Sequence, residues 1–407
     1  MSHAIHDFTG KLRQPGMLPR VQAYVAWRRE VRAAREAGQP DPAPPAEHAP
    51  LSINLDLTTA CNYRCDHCID WDILNSRFKH EEQVLKDSLT TMAERGMRSV
   101  IMIGGGEPTV HPRFVSFVKH LKGLGQQIAV VSNGSNGAKL LEIAPLLDEK
   151  DWIRLSLDSG SNELFREMHK PVDKNLTLDA ICEWIPKIKA ANGKPRIGFS
   201  YIITWEGAQR DDADVHENVH EIYMAAERAK AAGFDYISLK PFLERTPEGA
   251  EVMDPTGGGT TSFGAMLERI RTEVDKAKQL ADDSFDVYES TNLRMLEQGD
   301  WSEYTKQPTV CHMQALRQVL TPTGLFNCPA HRGVEKAKVG EKDAFGTCES
   351  AEATTGGLAT LLDEFDASHE CREVTCLYNK VNWWLEEMIE DTGADLVASP
   401  EREDYFL

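Results

Sequence analysis

The sequence predicts an α/β protein, a parallel sheet with helices packed outside it. Short β-branched runs at 51–57, 99–103, 127–131, 152–157, 196–203 and 235–239 alternate with helical patterns at 81–95, 112–123, 138–147, 176–191 and 215–232, and one more helix follows at 263–280. At 407 residues the chain is also long enough for a barrel-sized unit and a smaller one beside it. Six strand–helix pairs in series leave two architectures, a doubly wound sheet and an incomplete barrel; in both, ligands bind at the C-terminal ends of the strands.

Before the first strand, 18–37 reads as a helix. Leu18, Val21, Val25 and Val31 give it an apolar side, four arginines (28, 29, 32 and 35) a basic one, and Gly38 can end it. The apolar side is expected to pack on the main body and the arginines to be solvated. Five prolines within 40–50 make an extended linker, so 1–50 is set apart as helix and linker. Residues 51–282 hold the strand–helix series. Within it, 254–262 (D-P-T-G-G-G-T-T-S) reads as a flexible loop, because no helix with Lys-Ser/Thr follows to make a phosphate cradle. From 283 to 407 the strands shorten and cysteines return. A helix around Trp383, Trp384, Leu385, Met388 and Ile389 comes near the end, and this part reads as a second domain.

Basic residues number 45 and acidic residues 64, a net charge of -19. Phosphate backbones and anionic membranes would be repelled, so no nucleic-acid or membrane partner is expected. A small anionic ligand in a locally basic pocket is not excluded. The first ten residues carry no apolar signal region and no membrane-length apolar run follows, so a cytoplasmic location is expected. Nine cysteines are an odd number for a disulfide framework, and clustered cysteines in such a chain bind metal or do chemistry more often.

Cys61, Cys65 and Cys68 stand as C-x3-C-x2-C directly after the first strand, and Gly104-Gly105-Gly106-Glu107-Pro108 follows the second. Three thiolates can hold one metal centre and leave a coordination position open for chemistry. A structural zinc would want a fourth ligand, for which His67 is near, but zinc leaves the glycine–glutamate segment unexplained. Glycines without Cβ atoms let a ligand approach the backbone closely.

These two motifs, within residues 50–280, resemble the radical S-adenosylmethionine (SAM) enzymes. The resemblance implies an incomplete (β/α)6 TIM-like barrel in which Cys61, Cys65 and Cys68 hold three irons of a [4Fe-4S] cluster. SAM would chelate the fourth iron, and one electron would cleave it to methionine and a 5′-deoxyadenosyl radical that abstracts hydrogen from substrate. A flavodoxin- or ferredoxin-type reductant is implied. His67 matches a position the family usually fills with an aromatic near the adenine, where an imidazole can still stack. Gly105 and Gly106 would border SAM, and Glu107 would accept a charge-assisted hydrogen bond from its ammonium. Ser132 and Asn133 after the third strand, with Ser156 and Asp158 after the fourth, resemble contacts to the ribose and carboxylate of SAM. Lys240 after the sixth would place a cation near a carboxylate.

Cys311 and Cys328 flank an apolar stretch, 315–320, and a Thr321-Pro322-Thr323-Gly324 turn, which reads as a β-hairpin with a cysteine at each end. Cys371 and Cys376 come later. C-x16-C with a late C-x4-C resembles the short twitch form of the superfamily's SPASM-like domains, and implies a small α+β iron–sulfur domain with one auxiliary [4Fe-4S] cluster on these four cysteines. The late spacing departs from the tighter pair common there, so Cys348 and His312 stand as alternative fourth ligands. A fully ligated cluster suits electron transfer. Cys182 reads as a buried small hydrophobe in a helix. Cys348 reads as an exposed thiol in a polar loop, with a role as hydrogen donor only if it reached the site.

The resemblance implies a two-electron oxidation, a dehydrogenation, of a small molecule such as a sugar or carbocycle, with the auxiliary cluster as electron acceptor. Epimerisation and maturation of a ribosomally made peptide are the alternatives. The first 45 residues are too short and Pro-rich for a leader-peptide recognition domain of about 80 residues, which favours the small molecule. No catalytic base is assignable from the sequence.

Overall fold

The computed structural model describes residues 7–45, 48–210, 213–246, 249–253 and 263–407; the 254–262 loop lies outside the described residues. One sheet holds ten strands: β1 (Ser52–Leu55), β2 (Ser99–Met102), β3 (Gln127–Ser132), β4 (Trp152–Ser156), β5 (Arg196–Ile203), β6 (Tyr236–Pro241), β7 (Asp286–Glu289), β8 (Arg317–Thr321), β9 (Gly324–Phe326) and β10 (Lys338–Gly340). The spatial order is β7-β6-β5-β4-β3-β2-β1-β8-β9-β10. Strands β1 to β7 run parallel in sequence order, and β8 lies parallel to β1 on its other side. β9 and β10 return antiparallel, with β8 and β9 forming the hairpin between Cys311 and Cys328.

The parallel run from β1 thus holds seven strands rather than six. The seventh, Asp-Val-Tyr-Glu, has one aliphatic residue and is half-buried throughout, so no apolar run marks it in the sequence. The sheet also crosses residue 283 on both flanks, since β7 and β8–β10 all come from the later part of the chain.

β1, β2 and β3 are buried at every position, as parallel strands covered on both faces must be. β4 alternates: Ile153 and Leu155 enter the main core, while Trp152, Arg154 and Ser156 point to the opposite, cavity-side face. On that face Phe406 packs against Trp152, at 5.5 Å between rings, with Ile101, Ala129 and Val131.

Outside the sheet, Glu82–Glu94, Phe114–Gly123, Gly137–Ile143, Ile222–Ala232 and Phe263–Lys278 take the expected helical places. The stretch expected as one helix over 176–191 is two, Leu178–Cys182 and Trp184–Ala191. Pro186 has no N–H to give to the carbonyl of Cys182, and its ring crowds that carbonyl. Cys182 is buried, as expected. An additional helix, Asn162–His169, starts where Ser161 accepts a hydrogen bond from Leu164 N–H. Cys348 opens a 17-residue helix, Cys348–Glu364, in place of the polar loop; Thr347 and Ser350 cap it reciprocally.

The helix Leu18–Glu36 buries Val21, Tyr24, Val25, Trp27 and Val31 and packs on the helix Asn379–Glu390, where Arg29 donates to Met388 O at 2.6 Å. The linker after it is pinned by His48, whose Nε2 donates to Ala315 O at 3.0 Å. Among the described residues no helix is long and apolar enough to cross a membrane.

Burial holds the pKa of His48 down from 6.5 to about 3. The unfolded chain takes up this proton below about pH 6.5 and the folded chain only near 3, so stability falls as pH drops through that window. His48→Gln is expected to remove on the order of 3 kcal/mol of the loss between pH 7 and pH 4. Urea unfolding at the two pH values checks this; equal acid sensitivity in both proteins would exclude His48 as the source.

Candidate active site

Cys61, Cys65 and Cys68 lie in the long loop that leaves the C-terminal end of β1. The glycine segment after β2 holds that loop. Thr58 and Gly105 form a parallel bridge, Glu107 N–H donates to Ala60 O at 2.9 Å, and Gly105 N–H donates to Asp70 at 3.2 Å. A Cβ on Gly106 would stand 2.2 Å from Ala60 O, and Gly104 and Gly105 adopt φ of +71° and +66°. The glycines therefore admit the chain's own backbone, and neither Gly105 nor Gly106 borders the cavity described below.

The Glu107 carboxylate joins the loops after β2 and β3. Its Oε1 accepts from Thr109 N–H (3.0 Å), Thr109 Oγ1 (2.6 Å) and Ser132 Oγ (2.7 Å), and its Oε2 from Asn133 N–H (2.6 Å). Burial raises its pKa. Oε2 retains room for one further donor. Asn133 Nδ2 donates to Asn62 at 2.9 Å, which ties the third strand's loop to the cysteine loop.

His67 is clamped rather than free to stack. Its Nδ1 lies 3.1 Å from Asp66 and its Nε2 3.1 Å from Asp158. Burial opposes its charge, yet the bonds to Asp158 and Asp66 raise its pKa to about 9. Asp158, at φ +47°, also accepts from Ile202 N–H at 2.7 Å. Burial disfavours its charge, but His67 keeps its pKa low. His169, at the end of the unforeseen helix, reaches Cys65: Nε2 donates to Leu157 O at 2.9 Å, which leaves Nδ1 to face the Cys65 Sγ at 3.2 Å. Arg210 donates to Cys65 O at 2.8 Å.

A buried ion cluster joins this loop to the later chain. Arg332 Nη1 reaches both oxygens of Asp70, at 2.7 and 2.6 Å, and its Nε lies 3.4 Å from Asp56. Arg245 lies 3.7 Å from Asp70 and 4.0 Å from Glu251. Burial raises Asp56 to about 8 and Glu251 to about 7, while Arg332 opposes both shifts.

A cavity of ≈ 950 Å³ opens on the inner face of the sheet. Of the residues expected at a ligand, Cys65, His67, Cys68, Asn133, Ser156, Asp158 and Lys240 line it; Cys61, Glu107 and Ser132 stand behind that lining. Lys240 Nζ donates to Ser200 Oγ at 3.4 Å, and burial together with the charge of Arg154 pushes its pKa well down. Arg154 and Glu251 also line the cavity, and neither carries a motif that would have singled it out.

Cys311 precedes β8, Cys328 follows β9, Cys371 follows the short helix Ala367–Glu370, and Cys376 precedes Asn379–Glu390. Burial raises their pKa values, Cys311 to about 11 and Cys328 to about 12, and the thiols repel one another's charge. His331 Nε2 lies 3.5 Å from Cys371 Sγ. Neither alternative ligand joins them. Cys348 is exposed, and His312 is spent on Tyr24 (2.8 Å) and Glu386 (2.5 Å). Among the described residues no three of these seven sulfurs lie within 4.8 Å of one another.

The Radical SAM superfamily profile matches residues 55–219. The S-adenosylmethionine-dependent nucleotide dehydratase of Thermoplasmatales archaeon (strain ISO4-H5) is 36% identical over 110 residues, 26% of this chain and 38% of that protein. The protein of the same name from Selenomonas ruminantium is 26% identical over 263 residues, 60% of this chain and 90% of its own length. The crystal structure of Streptococcus suis SuiB superposes with a TM-score of 0.54 over 88% of this chain and 77% of SuiB, at 15% identity, a likeness of fold. The chain spans less than two fifths of the length of the first of these relatives. The cysteine loop, the glycine–glutamate segment and strands β2 to β5 thus lie within the stretch that matches the Radical SAM superfamily.

Proposed function

We propose that the chain is a radical SAM enzyme that removes two electrons from a small molecule bound in the cavity. The observation that carries this is the second thiol set. Four cysteines from separate elements, Cys371 buried and the others partly buried, come close enough that neighbouring thiols raise the pKa of Cys328, Cys371 and Cys376. A tetrahedral zinc with Zn–S of about 2.3 Å would draw its sulfurs to within about 4 Å of one another, closer than either set stands. Cys65 with His67 and His169 does bring three ligand atoms within 4.8 Å of one another, but a larger iron–sulfur group does not need its sulfurs that close, and the two cysteine sets would supply it thiolates. When bound, the SAM-liganded cluster on Cys61, Cys65 and Cys68 would supply a hydrogen-abstracting radical, and a cluster on Cys311, Cys328, Cys371 and Cys376 an electron acceptor.

The chain's own groups have assignable work. Asn54, Ile101, Arg154, Ile202, Ser238 and Arg317 come from six strands and line one cavity, which supports a sheet rolled into a partial barrel. The free acceptor position on Glu107 Oε2 suits the ammonium of SAM. Glu251, which lines the cavity with its pKa raised to about 7, would be the group that takes a proton from the substrate. Arg332 stands four residues after Cys328 and binds the carboxylate two residues after Cys68, so it fixes one cysteine segment against the other. A flavodoxin- or ferredoxin-type donor would reduce the first cluster.

A second reading, a redox-neutral reaction on a nucleotide, is favoured by what the two dehydratases are called. Iron analysis separates the readings. After anaerobic reconstitution, about eight irons per chain are expected, falling to about four when Cys61, Cys65 and Cys68 are all changed to Ala and likewise when the other four are. About four falling to none in the first variant would remove the electron acceptor and favour the redox-neutral reaction. Arg332→Met, which strands buried carboxylates, is expected to cost ~3 kcal/mol in urea unfolding of the metal-free protein, with Arg332→Lys in between. A loss under about 1 kcal/mol would mean the ion cluster does not hold the two segments.

A further inference from the structure

We propose that Arg154 on β4 and Lys240 on β6 bind a phosphate group of the substrate inside the cavity. This rests on the cavity being the substrate site, and deepens that reading by naming the substrate's chemistry.

The geometry comes from the strand register. Arg154 and Ser156 project from β4 onto the cavity face. Across β5 the rows read Arg154–Gly198–Tyr236 and Ser156–Ser200–Ser238. Gly198 is required in the first row, because a Cβ there would stand 2.1 Å from the Tyr236 ring. The second row puts a hydroxyl residue on each of three adjacent strands, and Lys240 reaches back to Ser200 from the next cavity-facing position of β6. Two cations and a row of serines therefore share one wall of the cavity.

Among the described residues neither cation makes an ion pair or a hydrogen bond with a carboxylate. Arg154 Nε makes no hydrogen bond, and its guanidinium lies 5.1 Å over the Trp152 ring. Lys240 has only the long bond to Ser200. The carboxylates nearby are committed elsewhere, Asp158 to His67 and Ile202 N–H and Glu251 to the arginine cluster. Burial disfavours both charges and the charge of Arg154 disfavours that of Lys240, while Asp158 at longer range favours both. Such a pair is costly to keep without a counter-ion. An oxyanion in this cavity has two sources, a phosphate on the substrate and the carboxylate of SAM. A carboxylate matches one cation and leaves the other unmatched. A phosphate monoester, carrying about −2 near neutral pH, matches both, and its oxygens can accept from the serines.

Isothermal titration calorimetry on the anaerobically reconstituted protein tests this, with inorganic phosphate, ribose 5-phosphate, ribose and SAM as separate probes. Inorganic phosphate and ribose 5-phosphate are expected to bind and ribose is not. Arg154→Gln and Lys240→Gln are each expected to weaken both phosphate probes at least about tenfold and to leave SAM within about twofold. No binding of either phosphate probe to the unmodified protein would overturn the proposal, as would unchanged phosphate binding in both variants. A tenfold loss of SAM with phosphate unaffected would also overturn it and give the pair to the SAM carboxylate. Lys240→Gln decides if Arg154→Gln does not fold, which far-UV circular dichroism reads. The iron content of the same samples reports on the electron-acceptor reading separately, so either can fail alone.

Discussion

The carboxylate of Asp70 is the contact on which the site's arrangement depends. It stands two residues beyond Cys68, accepts from Gly105 N–H of the glycine segment, and is held on both oxygens by Arg332 from the segment after Cys328. A buried carboxylate without a partner is costly, so the three segments are fixed relative to one another by the same charge. The glycines of the segment belong to this constraint. Arg332 lies over Gly104, where a Cβ would be 2.6 Å from Nη1, and the backbone before Cys61 lies over Gly106. A side chain at either place would push apart what Asp70 draws together.

A second constraint is electrostatic. The protein carries a formal charge of -19, yet β4 and β6 present to the cavity two cations that make no ion pair with a carboxylate among the described residues. Cys65, Cys68, Asp158 and Glu251 line the same cavity. Thiols buried together hold their protons, so loading a metal group would release them and tie occupancy to pH. An outer surface of one sign around an inner patch of the other excludes polyanions while admitting a small anion, a form of selection that the total charge alone does not reveal.

The site was legible in the sequence where its information is local. Cys61, Cys65 and Cys68, the glycine–glutamate segment and the hairpin between Cys311 and Cys328 announce themselves by spacing and by position after a strand. The buried strands β2 and β3 do so by short apolar runs, and β1 by the apolar–polar alternation of 51–57. What the sequence hides is pairing at long range. Arg332 and Asp70 are 262 residues apart, and each alone is an ordinary charged residue. Arg154 differs from a surface arginine only in pointing inward, which depends on the phase of β4. His169 ends an eight-residue helix whose only clear mark is the Ser161 cap, and β7 is an edge strand without an apolar run. The glycines were legible as close approaches, but not as approaches of the chain to itself.

The superfamily profile ends at residue 219, and much of what would distinguish the reaction lies beyond it. Lys240, Glu251, Arg332 and the four later cysteines all come after that point, while Arg154, Ser156 and Asp158 come before. The shared part accounts for how a cysteine loop is set at the mouth of a parallel sheet. It does not choose the substrate, because the same sheet can carry many chemistries. The choice falls to side chains from the later segment that reach back into the cavity. β6 brings Lys240 to the cavity that Arg154 lines, the segment after β6 brings Glu251, and the segment after β9 brings Arg332 against the cysteine loop. A relative that shares the first part and differs in the second would keep the cysteine loop and change what lines the cavity.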